Sequence, residues 1–419
     1  MQSVSESQLP HVPVEPWRRL FLRFLKFGLL AWGGPVAQIA MIREELVDEE
    51  RWVSREQFNR ALAIYQVLPG PEAHELCVYF GMLSRGRLGG FLAGLGFMLP
   101  GFLLMFFMSA LYASGVHSMW LTAAFLGVQP AVVGLIIRAV HRIGQHALTD
   151  RVLWALAGLV AVASLLGTPF WITLPLAGLA YLFVSHRQRV AVGVAVLALL
   201  VSGLFLFWVS ATSPGASRHT DVFGAVTAQA GNPTPPASTV SVRGTSVGRL
   251  FGSGLRAGML TFGGAYTVIP FLRNDAVVVG RWMTDPQFLD GLALSGILPA
   301  PLIIFSTFVG YLGGGPVGAV AVTVGIFLPA FAFTLVAHRA IERIVQNRLV
   351  HTFLDGVTAG VVGLISATAL DLLRATVRDL PALLILVVSL VVLYRWRAKG
   401  AIAVVIAAAA VAGLVVYSF

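Results

Sequence analysis

The stretch WVSREQFNRALAIYQVLPGP at residues 52–71 returns, 230 positions later, as WMTDPQFLDGLALSGILPAP at residues 282–301. The two copies keep a tryptophan, a Gln-Phe pair, a Leu-Ala pair and two prolines in register. The match continues beyond them, with Gly86 pairing with Gly315 at an offset of 229. Chance identity between apolar stretches would not keep Trp, Gln and Pro in register. The sequence therefore predicts an internal duplication.

The composition around this repeat is typical of a membrane protein. Of the 419 residues 57% are hydrophobic and 11% are charged, against about 25% charged in an ordinary soluble domain. So few charges cannot cover a water-facing surface, which argues against a soluble globular or disordered protein. The single cysteine, Cys77, allows no intrachain disulfide and no cysteine metal cluster. With no P-loop, nucleophile elbow or zinc motif in the sequence, we expect no enzyme activity, no cofactor and no metal.

Apolar segments long enough to cross a bilayer predict an all-α protein with about 13 transmembrane helices. Seven precede a polar stretch and six follow it: 20–42, 58–83, 88–113, 119–140, 152–167, 170–185, 190–210, and then 250–272, 287–312, 316–337, 353–371, 380–394, 400–418. The 152–185 stretch could also form one re-entrant hairpin. Prolines interrupt 58–83 and 287–312, which could therefore consist of half-helices.

The positive charges predict the orientation of these spans. The net charge is +10, from 29 Lys and Arg against 19 Asp and Glu. With the N-terminus in the cytoplasm, most of the Lys and Arg fall in cytoplasmic regions, and the acidic run from Glu44 to Glu50 falls outside. We therefore expect a bacterial inner-membrane protein with a cytoplasmic N-terminus and a periplasmic C-terminus.

The repeat and the span count together predict three regions. Residues 1–210 form the N-terminal repeat, and residues 249–419 form the C-terminal repeat. Between them, residues 211–248 are rich in Pro, Gly and Ser and form a flexible linker outside the membrane. Because the first half holds an odd number of spans, equivalent helices enter the bilayer from opposite sides. Such an inverted repeat with broken helices is the plan of secondary transporters. The alternative is a membrane sensor or scaffold without flux.

The repeated motifs break helices and so predict the substrate site. A helix that restarts inside the membrane presents free N–H groups and the positive end of its dipole, which suits an anion. For an isolated Gly-Gly or Pro, close helix packing or a simple kink would be the better interpretation. Four breaks in register favour a site, formed by Gly33, Gly34, Pro35, Pro69, Gly70, Pro71, Gly263, Gly264, Pro299, Ala300 and Pro301.

Ionisable residues near the breaks suggest how transport is driven. Glu72, His74 and Glu75 follow the second break, and we expect them to carry protons, unless the two carboxylates only cap the helix. Arg60 precedes the same break and would attract an anion. Its equivalent is Asp290, which makes Asp290 a candidate gate partner of Arg60, unless the two face water at opposite surfaces. Ser54 and Thr284 are predicted N-caps of the helices that lead to the breaks.

These motifs resemble those of the chromate ion transporter family. The resemblance covers about residues 20–145 and 249–375, as in the long-chain, two-domain members. One departure is Ala300 at the position of Gly70. The motifs that carry the resemblance are Phe27-Gly28, Trp32-Gly33-Gly34-Pro35, Trp52 to Phe58 and Leu68-Pro69-Gly70-Pro71, followed by Thr261-Phe262-Gly263-Gly264, Trp282 and Leu298-Pro299-Ala300-Pro301.

The resemblance implies efflux of chromate from the bacterial cytoplasm, driven by the proton motive force, and hence chromate resistance. Sulfate, a dianion of similar shape, is implied as a competitor, and a sulfate or general oxyanion transporter remains the alternative. The expected partners are chromate, protons and the lipid bilayer, with no nucleic acid. A homodimer is kept as an alternative to the monomer.

Overall fold

The computed structural model describes residues 12–32, 34–115, 119–185, 245–262, 264–337, 347–396 and 400–418. No β-strand occurs in this part of the chain, which confirms the all-α prediction there. The predicted linker 211–248 lies outside the described residues apart from its last four.

Helices follow one another closely in both halves. In the first half they are α1 Trp17–Leu29, α2 Pro35–Arg43, α3 Arg55–Val67, α4 Glu72–Ala113, α5 Met119–Ala147, α6 Arg151–Leu165 and α7 Phe170–Ser185. In the second half they are α8 Val247–Met259, α9 Val268–Arg273, α10 Asp285–Ile297, α11 Phe305–Ala332, α12 Arg348–Thr376, α13 Leu380–Arg395 and α14 Ala401–Tyr417. Short 3-10 turns precede α9 and α11, and π-helical turns follow α2, α9 and α11.

The first break in each half reverses the chain. Lys26 Nζ in α1 lies 2.9 Å from Glu45 Oε2 just after α2, and the equivalent pair Arg256 and Asp275 is 2.8 Å apart. A straight helix would separate residues 19 positions apart by about 28 Å. Residues 17–43 therefore form a helical hairpin, hairpin 1, with its tip at residues 30–34. Residues 247–273 form the equivalent hairpin 3, with its tip at 260–264.

The second break in each half also reverses the chain. The rings of Phe58 in α3 and Phe80 in α4 are stacked, with centroids 6.3 Å apart. Those of Phe288 and Phe305 meet edge to face at 5.4 Å. Residues 55–84 thus form hairpin 2, with its tip at 68–71, and residues 285–313 form hairpin 4, with its tip at 298–301.

Two further turns divide α4 and α11. In α4 the backbone leaves helical geometry at Arg85 and Gly86, and in α11 at Gly314 and Gly315. The φ angles of Gly86 and Gly315 are 64° and 62°, a region that favours glycine because it has no Cβ. Each turn folds the last arm of a hairpin back on the longer helix that follows, over residues 87–113 and 316–337.

The hairpins change the predicted topology. Helices α1, α3, α8 and α10 have 13 residues each, about 20 Å of helix, which is too short for a hydrocarbon core of about 30 Å. The predicted spans 20–42 and 250–272 are therefore wrong as single crossings. The prediction of half-helices within 58–83 and 287–312 is confirmed.

The lengths of the apolar helices also bear on the predicted number of membrane crossings. By length and composition, four segments of the described chain could cross a membrane: Glu72–Ala113, Met119–Ala147, Leu302–Val336 and Arg348–Thr376. Four further apolar helices are shorter: α6, α7, α13 and α14. Thirteen spans are not confirmed.

An ion-pair cluster holds the base of hairpin 1. Arg23 Nη2 contacts Glu15 at 2.6 Å, and Arg23 Nη1 contacts Glu45 at 3.1 Å and Glu50 at 2.6 Å. The acidic run from Glu44 to Glu50 was expected on the opposite side of the membrane from the start of α1. It lies instead on the same side as the start of α1. Partial burial acts to raise the pKa of Glu50. Hydrogen bonds from Arg23 and Trp52 outweigh it, so this pKa lies below its ordinary value.

The chain forms two compact units that cut across its two halves. The larger one comprises Met1–His146, Gly244–His351 and Thr368–Phe419, and it contains all four hairpins. The smaller one comprises Ala147–Arg243 and Thr352–Ala367. Within the smaller unit, Tyr181 donates to Asp150 at 2.7 Å, so α6 and α7 run antiparallel as two short helices.

Candidate functional site

The tips of hairpins from the two halves meet. The Gly70 N–H, in the tip of hairpin 2, donates to the Thr261 carbonyl oxygen in the tip of hairpin 3, at 2.9 Å. This backbone bond joins the Leu-Pro-Gly-Pro break of the first half to the Thr-Phe-Gly-Gly break of the second. The helix breaks that the sequence singled out are therefore adjacent in space.

The equivalent backbone bond between tip 4 and tip 1 does not form. Ala31 and Ala300 correspond to Thr261 and Gly70. The Ala31 carbonyl instead accepts from Gln38 Nε2 at 3.0 Å, and the Ala300 N–H bonds to Leu298 at 2.9 Å. Because Val268 stands where the first half has Gln38, the first tip has a side-chain donor for its carbonyl that the third tip lacks. The site is thus asymmetric despite the repeat.

A cavity lies next to tips 1 and 4, with residues that follow tip 3 in its wall. Its wall is mostly apolar, with Tyr266 and Ser295 as its polar side chains. The lining comprises Trp32 and Gly34 from tip 1, Tyr266 and Ile269 beyond tip 3, Leu292, Ser295, Gly296, Leu298, Ala300 and Leu302 around tip 4, Val132, Leu135 and Ile136 from α5, and Ile402 and Ala403 from α14.

A helix N-terminus opens towards this cavity. Helix α2 begins at Pro35 after Gly34, and no side chain caps its first turn. The free N–H groups of a first turn and the helix dipole favour an anion. Beyond tips 3 and 4 the chain starts instead with the 3-10 turns Ala265–Thr267 and Leu302–Ile304. The expectation of a regular half-helix after every break therefore holds in the first half only.

Only some of the predicted substrate residues line the cavity. Gly34 and Ala300 line it. Gly33 and Gly263 lie outside the described residues. The remaining predicted residues of the breaks belong to the hairpin tips or adjoin them without being part of the lining: Pro35, Pro69, Gly70, Pro71, Gly264, Pro299 and Pro301.

The predicted proton-carrying residues lie behind tip 2. Glu75 is fully buried, and neither oxygen of its carboxylate has a hydrogen-bond partner among the described residues. A Cβ on Gly70 would lie 2.9 Å from Glu75 Oε1, so the carboxylate adjoins the tip. A buried carboxyl group without partners is costly, and in a membrane protein it is usually functional.

His74 and Glu72 accompany this carboxylate in different environments. The buried His74 ring lies 4.9 Å from the Phe327 ring and 4.7 Å from that of Phe331, centroid to centroid. Both phenylalanines belong to the second half, so His74 packs across the repeat interface. Glu72 is the first residue of α4 and is half-buried.

Arg60 and Asp290 do not meet. Arg60 is 63% exposed and pairs with Glu56, one turn earlier in α3, at 3.4 Å. Asp290 is buried and accepts hydrogen bonds from Tyr112 at 2.8 Å and Gln129 at 3.0 Å. Because α3 turns Arg60 towards solvent while α10 turns Asp290 towards α4 and α5, the structure contains no gate between them. Arg60 is also absent from the cavity lining.

Other basic residues lie closer to the cavity. Arg138 and Arg142 follow Leu135 and Ile136 on α5, and both are near enough to Tyr266 to interact with it electrostatically. Sequence reasoning assigned these two arginines to the orientation of the chain. It also passed over Gln38, Tyr266 and Gln129. A polar residue inside an apolar stretch is the signal that would have found Gln38 and Gln129.

The chain is similar to known proteins over both halves. Residues 18–213 and 248–414 match the family model described as Chromate transporter. A chromate transport protein of Pseudomonas aeruginosa is 55% identical over 97% of this chain and 94% of its own length. A probable chromate transport protein of Synechococcus elongatus is 30% identical over 99% of both. A chromate transport protein of Cupriavidus metallidurans is 29% identical over 97% and 94%. No solved structure shows significant similarity to the chain.

Proposed function

We propose that this chain, which belongs to the chromate transporter family, exports chromate from the bacterial cytoplasm in exchange for protons. The main support is that tips 1 and 4, from opposite halves, line one cavity, while a backbone hydrogen bond joins tips 2 and 3. Inverted repeats whose broken helices converge are the framework of secondary transporters. Several relatives with matching length are named as chromate transport proteins.

The substrate site would lie in the cavity among the tips. Chromate is a tetrahedral dianion whose oxygens only accept hydrogen bonds. The Tyr266 hydroxyl supplies a donor there, the positive end of the α2 dipole begins at Gly34 in the lining, and Arg138 and Arg142 supply positive charge nearby. Sulfate has the same shape and charge, so it is expected to compete.

Protons would bind at Glu75, with Glu72 and His74 as neighbours in the same turn of α4. Glu75 adjoins Gly70, whose N–H contacts the opposite half. A change in its charge would therefore act on the junction between the halves.

The orientation follows from the hairpins and the positive-inside rule. Because hairpins 1 and 2 return to the side from which they enter, the basic residues at their bases share one side of the membrane: Arg18, Arg19, Arg43, Arg51, Arg55, Arg85 and Arg87. Lys and Arg accumulate on the cytoplasmic side, which supports a cytoplasmic N-terminus at the inner membrane, and the C-terminus is proposed to lie in the periplasm. The interior-negative potential then favours export of a dianion by about 2.3 kcal/mol per charge per 100 mV.

Uptake of labelled chromate into inverted membrane vesicles tests the proposal. We expect the uptake to need a proton gradient that is acidic inside, and to fall when sulfate is added. Arg138→Gln is expected to weaken uptake, while Arg60→Gln, a matched change at an exposed arginine, leaves it intact. Uptake that ignores the proton gradient would contradict antiport, and uptake of sulfate without chromate would favour the alternative, a sulfate transporter. Absence of flux for either anion would favour a scaffold.

A further inference from the structure

A buried carboxylate far along the sequence from Glu75 has neutral partners only. Asp290 in α10 is 5% exposed. Its Oδ2 accepts from the Tyr112 hydroxyl at 2.8 Å, and its Oδ1 accepts from Gln129 Nε2 at 3.0 Å. Among the ion pairs of the described residues, none includes Asp290.

Among the described residues, the side chains around Asp290 add no positive charge. The helices packed against α10 are α14, α11 and α4, and α5 contributes Gln129. Tyr417 of α14 is bonded to Asp379, and Tyr311 of α11 packs on Phe106. The other ionisable groups of these helices lie far from Tyr112 and Gln129 along the chain: Glu72, His74, Glu75, Cys77, Tyr79, Arg85 and Arg87 in the first part of α4, and Arg138, His141, Arg142 and His146 after Gln129 in α5.

We propose that Asp290 is a second proton-binding residue of the transport cycle, contributed by the second half of the chain. The inference rests on the proposed proton-coupled export and adds a named site to it. The equivalent residue in the first half, Arg60, is exposed and paired with Glu56, so the second site has no counterpart there.

The hydrogen-bond network suits both protonation states. When Asp290 is ionised, Tyr112 and Gln129 both donate to it, as in the structure. When a proton from water binds Oδ2, the new Asp290 hydroxyl donates to the Tyr112 oxygen, and the Tyr112 hydroxyl turns away. Gln129 continues to donate to Oδ1. Because a tyrosine hydroxyl both donates and accepts, the proton can bind and leave while both carboxyl oxygens stay bonded.

The position of Asp290 connects this site to the cavity. Leu292 and Ser295, on the same helix, line the cavity, and α10 leads directly into tip 4. Tyr112 and Gln129 belong to α4 and α5 of the first half. Protonation of Asp290 therefore changes its hydrogen bond with Tyr112, which joins the two halves of the chain close to the cavity.

Two transport assays on the reconstituted full-length Asp290→Asn variant test the proposal. Asparagine keeps both hydrogen bonds, since its amide can donate to Tyr112 and accept from Gln129, but it cannot release a proton. We expect proton-driven accumulation of chromate to be lost, while chromate–chromate exchange without a gradient stays close to wild type. Retained exchange also shows that the variant folds. Tyr112→Phe, which leaves the carboxyl group, is expected to keep accumulation but to move its pH profile towards higher pH.

The outcomes separate this inference from the proposed function. Full proton-driven accumulation by Asp290→Asn would overturn the inference alone. Loss of both accumulation and exchange would also overturn it, because Asp290 would then be needed for structure and not for coupling. If the wild-type protein exchanges chromate but a proton gradient drives no accumulation, the proposed antiport fails and the inference fails with it.

Discussion

The Gly70 N–H donates to the Thr261 carbonyl across the two halves of the chain, and the equivalent residues Ala300 and Ala31 make no such bond. One side of the repeat interface is therefore closed by a backbone bond between tips, and the other side is left to the cavity that Ala300 lines. The two halves of the duplicated chain thus contribute differently to the site. The buried Glu75 lies behind tip 2, which makes the backbone bond.

Replacement of Gly70 by alanine is expected to disturb this junction. The added Cβ would lie 2.9 Å from Glu75 Oε1 and 3.2 Å from the Ala330 Cβ. Crowding of this kind costs about 1–3 kcal/mol, so we expect a lower midpoint of thermal unfolding and weaker chromate flux. Gly252→Ala, where an added Cβ would meet nothing within 4 Å, is the control. Equal stability and flux in the two variants would show that tip 2 is not tightly packed.

Much of this architecture could be predicted from sequence. Ser54 and Thr284 are N-caps as predicted, and each also forms a capping box with the Gln three residues later. The breaks fall at the repeated Gly and Pro residues. The direction of the chain after a break could not be predicted. A break at proline or glycine has the same sequence pattern whether the next helix continues across the membrane or turns back. The pairs that reveal the reversal, such as Lys26 with Glu45, join residues distant in sequence.

The site was predicted in outline and missed in detail. The prediction that the helix breaks lie at the site agrees with the structure, where Gly34 and Ala300 line the cavity. A break leaves backbone N–H and C=O groups without helical partners, and this can be recognised from Gly and Pro in the sequence. Arg60 was the wrong cation, since its side chain finds Glu56 one turn away. Gln38 and Tyr112 matter through contacts that depend on how helices pack, and no local pattern specifies those contacts.

Close packing of α8 on α11 predicts a contrast between two glycines of one helix. A Cβ on Gly258 would collide with the Ile326 carbonyl, whereas a Cβ on Gly252 would meet nothing within 4 Å. We expect Gly258→Ala to lower the free energy of unfolding by about 1–3 kcal/mol. Gly252→Ala should raise it by about 0.4–1 kcal/mol, because the unfolded chain loses freedom. Thermal unfolding of the purified variants measures both, and a destabilised Gly252→Ala protein would argue against this packing.

Acid is expected to loosen the base of hairpin 1. Hydrogen bonds from Arg23 and Trp52 outweigh burial and lower the pKa of Glu50. A carboxylate with a lowered folded-state pKa stabilises the protein above its ordinary pKa of 4.5. That stability is lost as the pH falls through the lower, folded value. The wild-type protein should therefore unfold at a higher temperature than Glu50→Gln at neutral pH, and the difference should shrink below pH 4.5. A constant difference across this range would show that the Glu50 charge is not involved.

The central claim, that the anion binds where the hairpin tips meet, is tested most directly by protection of a thiol at the cavity. Cys77 is the chain's one cysteine and is buried, so Cys77→Ala gives a background for Trp32→Cys in tip 1 and for a control, Ser114→Cys, at an exposed turn. A short pulse of an anionic methanethiosulfonate reports the reactivity of each thiol. Sulfate, which does not oxidise thiols, serves as a second ligand beside chromate.

At a chromate concentration ten times its dissociation constant, we expect about tenfold slower labelling at position 32, and no change at position 114. Sulfate should act in the same way at higher concentration. Equal labelling of the Trp32→Cys thiol with and without chromate, in protein that still transports it, would contradict the account.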